Sequence, residues 1–172
     1  MSILVKDRVL LVGPMGAGKT TIGTLLAAEL GWPYIDNDAE MAKISGLTEE
    51  ELSELSIPEL HGLEESYLMN IASRPGPFIA GVAASVVENV ENIKVMQGLT
   101  TIYLYIPLEL QLERAGAVGV GRQALSEDPE RVISERFARR DPRYREAATL
   151  TVELGSDAET DAARILDFIR QQ

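Results

Sequence analysis

The chain has 172 residues, 45% hydrophobic and 25% charged, which fits a single soluble globular domain across 1–172. With no cysteine and one histidine, disulfides, thiolate clusters and a histidine-rich zinc site are excluded. A formal charge of −11 argues against a nucleic-acid partner, and no apolar run suits a membrane span or a secretory signal, so a cytoplasmic location is expected.

Val9–Val12 is a short apolar run ending at a glycine, the pattern of a buried parallel strand. Lys19–Leu30 follows with Ile22, Leu25, Leu26 and Leu30 at helical spacing, and Gly31 stops it. Pro33–Ile35 reads as a second strand, and acidic, helical sequence runs from 38 to 73. Within it, Thr48-Glu49-Glu50-Glu51 is a capping box opening a helix with Leu52 and Leu55. Phe78–Ala80 and Thr100–Ile106 are the third and fourth strands. Ala115–Glu127 lacks periodicity and contains three glycines, so it reads as a mobile loop. Asp128-Pro129 caps a helix that runs towards Arg140 and is expected to end at Pro142. Leu150–Leu154 is the fifth strand, and a capping box at Ser156–Glu159 opens a final helix with Ile165, Leu166 and Ile169. Strands alternating with helices imply an α/β fold, a parallel sheet covered on both faces.

Gly13-Pro14-Met15-Gly16-Ala17-Gly18-Lys19-Thr20 matches the P-loop spacing and lies between a predicted strand and a predicted helix. Its backbone N–H groups curl around phosphate oxygens, with Lys19 at the β- and γ-phosphates and the Thr20 hydroxyl as a Mg²⁺ ligand. The candidate nucleotide-binding residues are Gly13, Met15, Gly16, Ala17, Gly18, Lys19, Thr20 and Thr21, with ATP and Mg²⁺ as cofactors. No Asn-Lys-x-Asp or Asp-x-x-Gly motif occurs, which excludes the regulatory GTPases and leaves kinases of small molecules or nucleotides.

Asp36-Asn37-Asp38 sits just past the second strand, where ligands gather beside the phosphate loop. One aspartate can hold the metal and the other accept the proton of an attacking hydroxyl; the alternative is that Asp38 caps a helix. Between Arg114 and Arg145 eight arginines face five acids, a local excess of +3 in an acidic chain. Such a cluster is either a solvated helix face or a site for small-molecule phosphate or carboxylate. Arg122, in the glycine-containing loop, is a candidate for the transferring phosphoryl group; the alternative is a surface arginine.

Together these motifs resemble the shikimate kinase family over nearly the whole chain. The P-loop continues into Thr21-Ile22-Gly23 and Leu25-Leu26-Ala27, and Asp36-Asn37-Asp38 resembles the family's Asp-x-Asp, followed by Ser45-Gly46 in place of Thr-Gly. Arg122-Gln123-Ala124-Leu125 is similar to its lid sequence Arg-Pro-Leu-Leu, and Arg140-x-Pro142-x-Tyr144 to its Arg-x-Pro-Leu-Tyr. The resemblance implies a three-layer P-loop fold with strand order 2-3-1-4-5, and transfer of the γ-phosphoryl group of ATP to a ring hydroxyl. It gives Asp38 the acceptor hydroxyls, Asp36 a metal role, Arg122 a place in a lid over 115–127, Arg114 a place near the adenine and Arg140 the acceptor's carboxylate.

Two stretches depart from the family pattern. His61, in Leu60-His61-Gly62-Leu63-Glu64, stands where the family carries a second carboxylate-binding arginine. Ala80-Gly81-Val82 stands for a run of three glycines beside the substrate, making Gly81 and Val82 candidate acceptor contacts. Shikimate is therefore expected to be a weak acceptor unless Arg139, Arg143 or Arg145 supplies the second contact. The small-molecule partner is a hydroxy compound, the helical region 38–73 helps bind it, and a monomer is expected. A nucleotide or nucleoside kinase and a catalytically idle nucleotide-binding protein are the alternatives.

Overall fold

The computed structural model describes residues 7–118, 128–155 and 157–171. Five parallel strands, β1 (Arg8–Val12), β2 (Tyr34–Ile35), β3 (Phe78–Gly81), β4 (Thr100–Tyr105) and β5 (Leu150–Glu153), form one sheet in the order β2-β3-β1-β4-β5. Leu10 pairs with Ala80 on one side and Thr101 on the other, so β1 is central and its carboxyl end opens onto the phosphate loop.

The strands' twofold alternation divides the core into two layers. Val9, Leu11, Ile79, Ile102 and Leu104 face α1 (Lys19–Leu30) and α8 (Ala158–Gln171), through Ile22, Leu26, Ile165 and Ile169. Leu10, Val12, Phe78, Ala80 and Tyr103 face the opposite layer. That layer is built from α4 (Ile57–Ser73), α5 (Val90–Gln97) and α7 (Pro129–Ala147), through Tyr67, Leu68, Ile71, Ile93, Met96 and Tyr144. A sheet covered on both faces explains why the strands read as continuous apolar runs.

The acidic stretch 38–73 folds as three helices: α2 (Asn37–Ser45), α3 (Glu49–Ser53) and α4. Thr48 and Glu51 form the expected capping box on α3, but α3 is one short turn and ends before Leu55. A second box, Ser56 with Glu59 and Pro58 in the first turn, starts α4. It carries the same signature and was obscured by the run of acids before it. Residues 84–97, given no element from sequence, form a 3₁₀ helix (Ala84–Glu88) and α5, which Asn89 caps by accepting from the Glu91 N–H at 3.0 Å.

The expected helix end at Pro142 is wrong: α7 runs to Ala147 with Pro142 inside it. An internal proline costs about 3 kcal/mol through a missing N–H and a clash with the preceding turn. Burial offsets this, because Tyr144 and Ala147, just beyond the proline, are buried in the core. Tyr144 also donates from its hydroxyl to the Ala84 carbonyl at 2.5 Å and packs on Tyr103, ring centroids 4.7 Å apart. Of the loop expected over 115–127, the first residues belong to α6 (Leu108–Val118), and 119–127 lie outside the described residues. Ser156 is likewise outside them, and at the start of α8 Asp157 accepts from the Thr160 N–H at 2.9 Å.

Candidate active site

The loop between β1 and α1 can take its shape because Gly16 and Gly18 have φ of 77° and 91°, a left-handed region that side chains disfavour. Gly18 is also the N-cap of α1 and offers no side-chain cap, so the first-turn N–H groups point at whatever lies in the loop. Together with the positive end of the helix dipole they make an anion cradle. Lys19 bends back over it, its ammonium donating to the carbonyls of Gly13 at 2.8 Å and Pro14 at 3.1 Å. The charge is thus held at the mouth of the cradle by the loop's own backbone.

The two aspartates are separated by function in a way the sequence left open. Asp36, not Asp38, caps α2, its Oδ2 accepting from the Ala39 N–H at 3.0 Å. Its other oxygen, Oδ1, receives the Thr20 hydroxyl at 3.4 Å. Two hard oxygen donors brought together beside a phosphate cradle fit Mg²⁺, which takes one or two protein oxygens and completes its shell with phosphate and water. No cluster of three or more His, Asp or Glu that would suit an all-protein cage occurs among the described residues. Asp38 lies in the first turn of α2, where its Oδ1 accepts from Asn37 Nδ2 at 3.1 Å.

Tyr34 was not expected here. It opens β2 close to Thr20, Asp36 and Asp38, and its side chain shares a hydrogen bond with Thr20. Burial pushes its hydroxyl pKa up; the Thr20 bond opposes this, and the negative charges of Asp36 and Asp38 add to it, leaving a neutral phenol at physiological pH. The signal in the sequence was weak, an aromatic two residues ahead of the first aspartate. The decisive features are Gly23 and Gly81, where an added Cβ would meet the Tyr34 ring and, at 2.7 Å, its hydroxyl oxygen.

That contact gives Gly81 a packing reason, and its carbonyl accepts from the buried Tyr67 hydroxyl at 2.6 Å. Val82 stands differently from the sequence expectation. It continues the alternation of Phe78 and Ala80, is fully buried, and belongs to the core layer under α4, α5 and α7. Its side chain therefore packs in the core. Val82→Gly should lower unfolding free energy by about 2–4 kcal/mol, combining a lost buried side chain with added backbone freedom. A urea unfolding curve displaced by less than about 0.5 kcal/mol would contradict this placement.

α7 presents Arg136, Arg139, Arg140 and Arg143 at the spacing of one helical face towards the 3₁₀ helix. Arg140 is deeply placed, with 11% of its side chain exposed. Burial, then the charges of Arg140 and Arg139, hold Arg136 below the usual guanidinium range, a measure of the crowding of positive charge. Glu88, closing the 3₁₀ helix, answers it: both of its oxygens accept from Arg139 Nε, at 2.8 and 3.0 Å, and one lies 3.5 Å from Arg140. Burial alone would raise the Glu88 pKa, but the Arg139 hydrogen bond and the charges of Arg140, Arg139 and Arg143 outweigh it and hold the carboxyl below its ordinary range.

His61 lines a pocket of about 160 Å³ with Glu64, Glu65, Ser85 and the same Glu88. Of the arginines expected to stand in for a missing one, Arg139 is beside Arg140. Arg143 is engaged with the Val87 and Glu88 carbonyls, and Arg145 with Asp141 and the face of Tyr105. Arg114 is exposed on α6, and Arg122 lies outside the described residues.

Comparison with known proteins gives one consistent result. The shikimate kinase family model matches residues 15–170. The shikimate kinase of Acinetobacter baumannii (strain AYE) is 37% identical over 163 residues, covering 92% of this chain and 89% of that one. The shikimate kinase of Halorhodospira halophila is 32% identical over 176 residues, covering 96% and 95%. Among solved structures, that of shikimate kinase from Acinetobacter baumannii in complex with shikimate aligns with a TM-score of 0.83 at 33% identity, covering 95% and 92%.

Proposed function

The chain belongs to the shikimate kinase family, and from that premise we propose that it moves the γ-phosphoryl group of ATP to a hydroxyl of shikimate. It is an ATP-dependent phosphotransferase with an alcohol acceptor. The observation that carries the reading is the meeting of Thr20 with Asp36 at the mouth of the phosphate loop, with Asp38 two residues further on. A protein that only holds nucleotide has no need of the second carboxylate.

The chain's own residues divide the work. The loop amides and Lys19 hold the phosphates and fix the γ-phosphoryl group in place. Thr20 and Asp36 would hold Mg²⁺, which supplies neutralisation of phosphate charge when bound. Asp38 accepts the proton of the acceptor hydroxyl as its oxygen bonds to the γ-phosphorus and the bond to ADP breaks. Arg140 takes the acceptor's carboxylate, and Arg122 attends the transferring group. No helix among the described residues is long and apolar enough to cross a membrane.

The test is ADP release measured with ATP, Mg²⁺ and shikimate. Shikimate-dependent release is expected, with a high KM because the carboxylate meets Arg140 and His61 in place of two guanidiniums. No release with shikimate, at any concentration reached, would sink the acceptor assignment and favour an idle nucleotide-binding protein. His61→Arg should lower the shikimate KM by about tenfold or more, since a charge-assisted hydrogen bond contributes roughly 1.5–3 kcal/mol. An unchanged KM in that variant would mean position 61 does not reach the acceptor.

A further inference from the structure

Glu88 has no role in the phosphotransfer step, yet it sits on the guanidinium that the acceptor carboxylate requires. We propose that Glu88 is an internal counter-carboxylate for Arg140 and sets the affinity for acceptors that carry a carboxylate, because such an acceptor gains Arg140 only by displacing it. This deepens the shikimate reading above and rests on it.

The placement of Glu88 is built, not incidental. Arg143 donates to its backbone carbonyl at 2.6 Å, and Tyr144 donates to the Ala84 carbonyl at the other end of the 3₁₀ helix. The whole turn is thereby pinned to α7, and the carboxylate competes at a high effective concentration. Its hold on the two arginines is unequal. The contacts to Arg139 Nε are proper hydrogen bonds, whereas the 3.5 Å approach to Arg140 supplies charge with little directional bonding. Arg140 Nε is buried without a hydrogen-bond partner, so Glu88 neutralises this guanidinium while leaving donor capacity unused. An incoming carboxylate can use that capacity, and Glu88 can retreat onto the more exposed Arg139 without losing every partner. The exchange is feasible but costs affinity, since two carboxylates then share one cationic face.

The experiment compares shikimate with its uncharged methyl ester on the full chain, by steady-state KM and by calorimetric affinity. In Glu88→Gln, which keeps the side-chain shape, the shikimate KM should fall about tenfold while the ester's stays within about twofold. Arg139→Ala should act in the opposite direction, because Glu88 then leans wholly on Arg140, and raise the KM for shikimate alone. A merely structural role for Glu88 would move acid and ester together. If the wild type turns over shikimate but Glu88→Gln shows an equal or higher KM, the proposal is overturned and the acceptor assignment stands. If Glu88→Gln fails to fold, the Arg139→Ala result decides alone: an unchanged or lower shikimate KM there overturns the proposal. If shikimate neither binds nor turns over in any of the three proteins, the acceptor assignment falls and the proposal with it.

Discussion

Lys19→Ala will lose most of the protein's affinity for ATP, by about 10²–10³-fold, the usual cost of deleting one charged donor from a phosphate clamp. The size follows from what the ammonium does in the structure. It is tied to the Gly13 and Pro14 carbonyls, and so stands at the mouth of the cradle before any ligand arrives. Little ordering of this long side chain remains to be done on binding, and its charge is delivered nearly in full. Removing it also releases the two carbonyls that fix the loop's curvature. The helix dipole and the loop amides remain, so binding is weakened and not abolished. Isothermal titration calorimetry with ATP measures this directly, and an affinity within threefold of wild type would sink the phosphate-loop assignment.

Asp38→Asn should reduce turnover by about 10²–10⁴-fold while leaving ATP affinity within a few-fold, the ordinary worth of a positioned general base. The substitution preserves volume and keeps an oxygen that can accept from Asn37, so the first turn of α2 has no reason to change. What it removes is the ability to accept a proton. Asp36 cannot take over, since one of its oxygens is committed to the Ala39 N–H and the other to Thr20. Rapid-quench or steady-state ADP release with shikimate reads the loss. Normal turnover in the variant would move the base elsewhere.

Much of the framework was legible because its signals are local. The strands β1 and β4 announce themselves as apolar runs, and Thr48 and Asp128 announce helix starts by side-chain chemistry that needs no tertiary context. The errors share a cause: each required knowing what a residue packs against. Pro142 reads as a helix end until Tyr144 and Ala147 are seen buried beyond it. Val82 reads only as a candidate acceptor contact, and its packing in the core beside Phe78 and Ala80 is not announced. Asp36 and Asp38 are equivalent as caps in sequence, and only the geometry of Ala39 assigns the duty to the first.

On the site itself, the sequence pointed to the phosphate loop, the aspartate pair and Arg140. It was silent on Tyr34 and Glu88, whose significance lies largely in partners distant in the chain. Thr20 stands 14 positions before Tyr34, and Arg139 and Arg140 stand 51 and 52 after Glu88. No spacing rule connects residues at those separations. An aromatic at the start of a short strand and a glutamate closing a single turn are unremarkable until the sheet and α7 bring their partners alongside.

The closeness of Tyr34 to Gly81 also constrains how this chain can drift. A methyl group at position 81 would lie 2.7 Å from the Tyr34 hydroxyl oxygen but 3.8 Å, an ordinary contact, from the ring carbon that bears it. Gly81→Ala is thus obstructed by a single oxygen atom. Tyr34→Phe removes that atom, and the same alanine then fits. The two changes are permissible in one order and not in the other, so the history of one position is written into the freedom of its neighbour. A lineage that acquires alanine first meets a barrier, whereas one that loses the hydroxyl first can accept alanine and afterwards cannot easily recover the tyrosine. A single half-buried hydroxyl therefore acts as a one-way gate in sequence space.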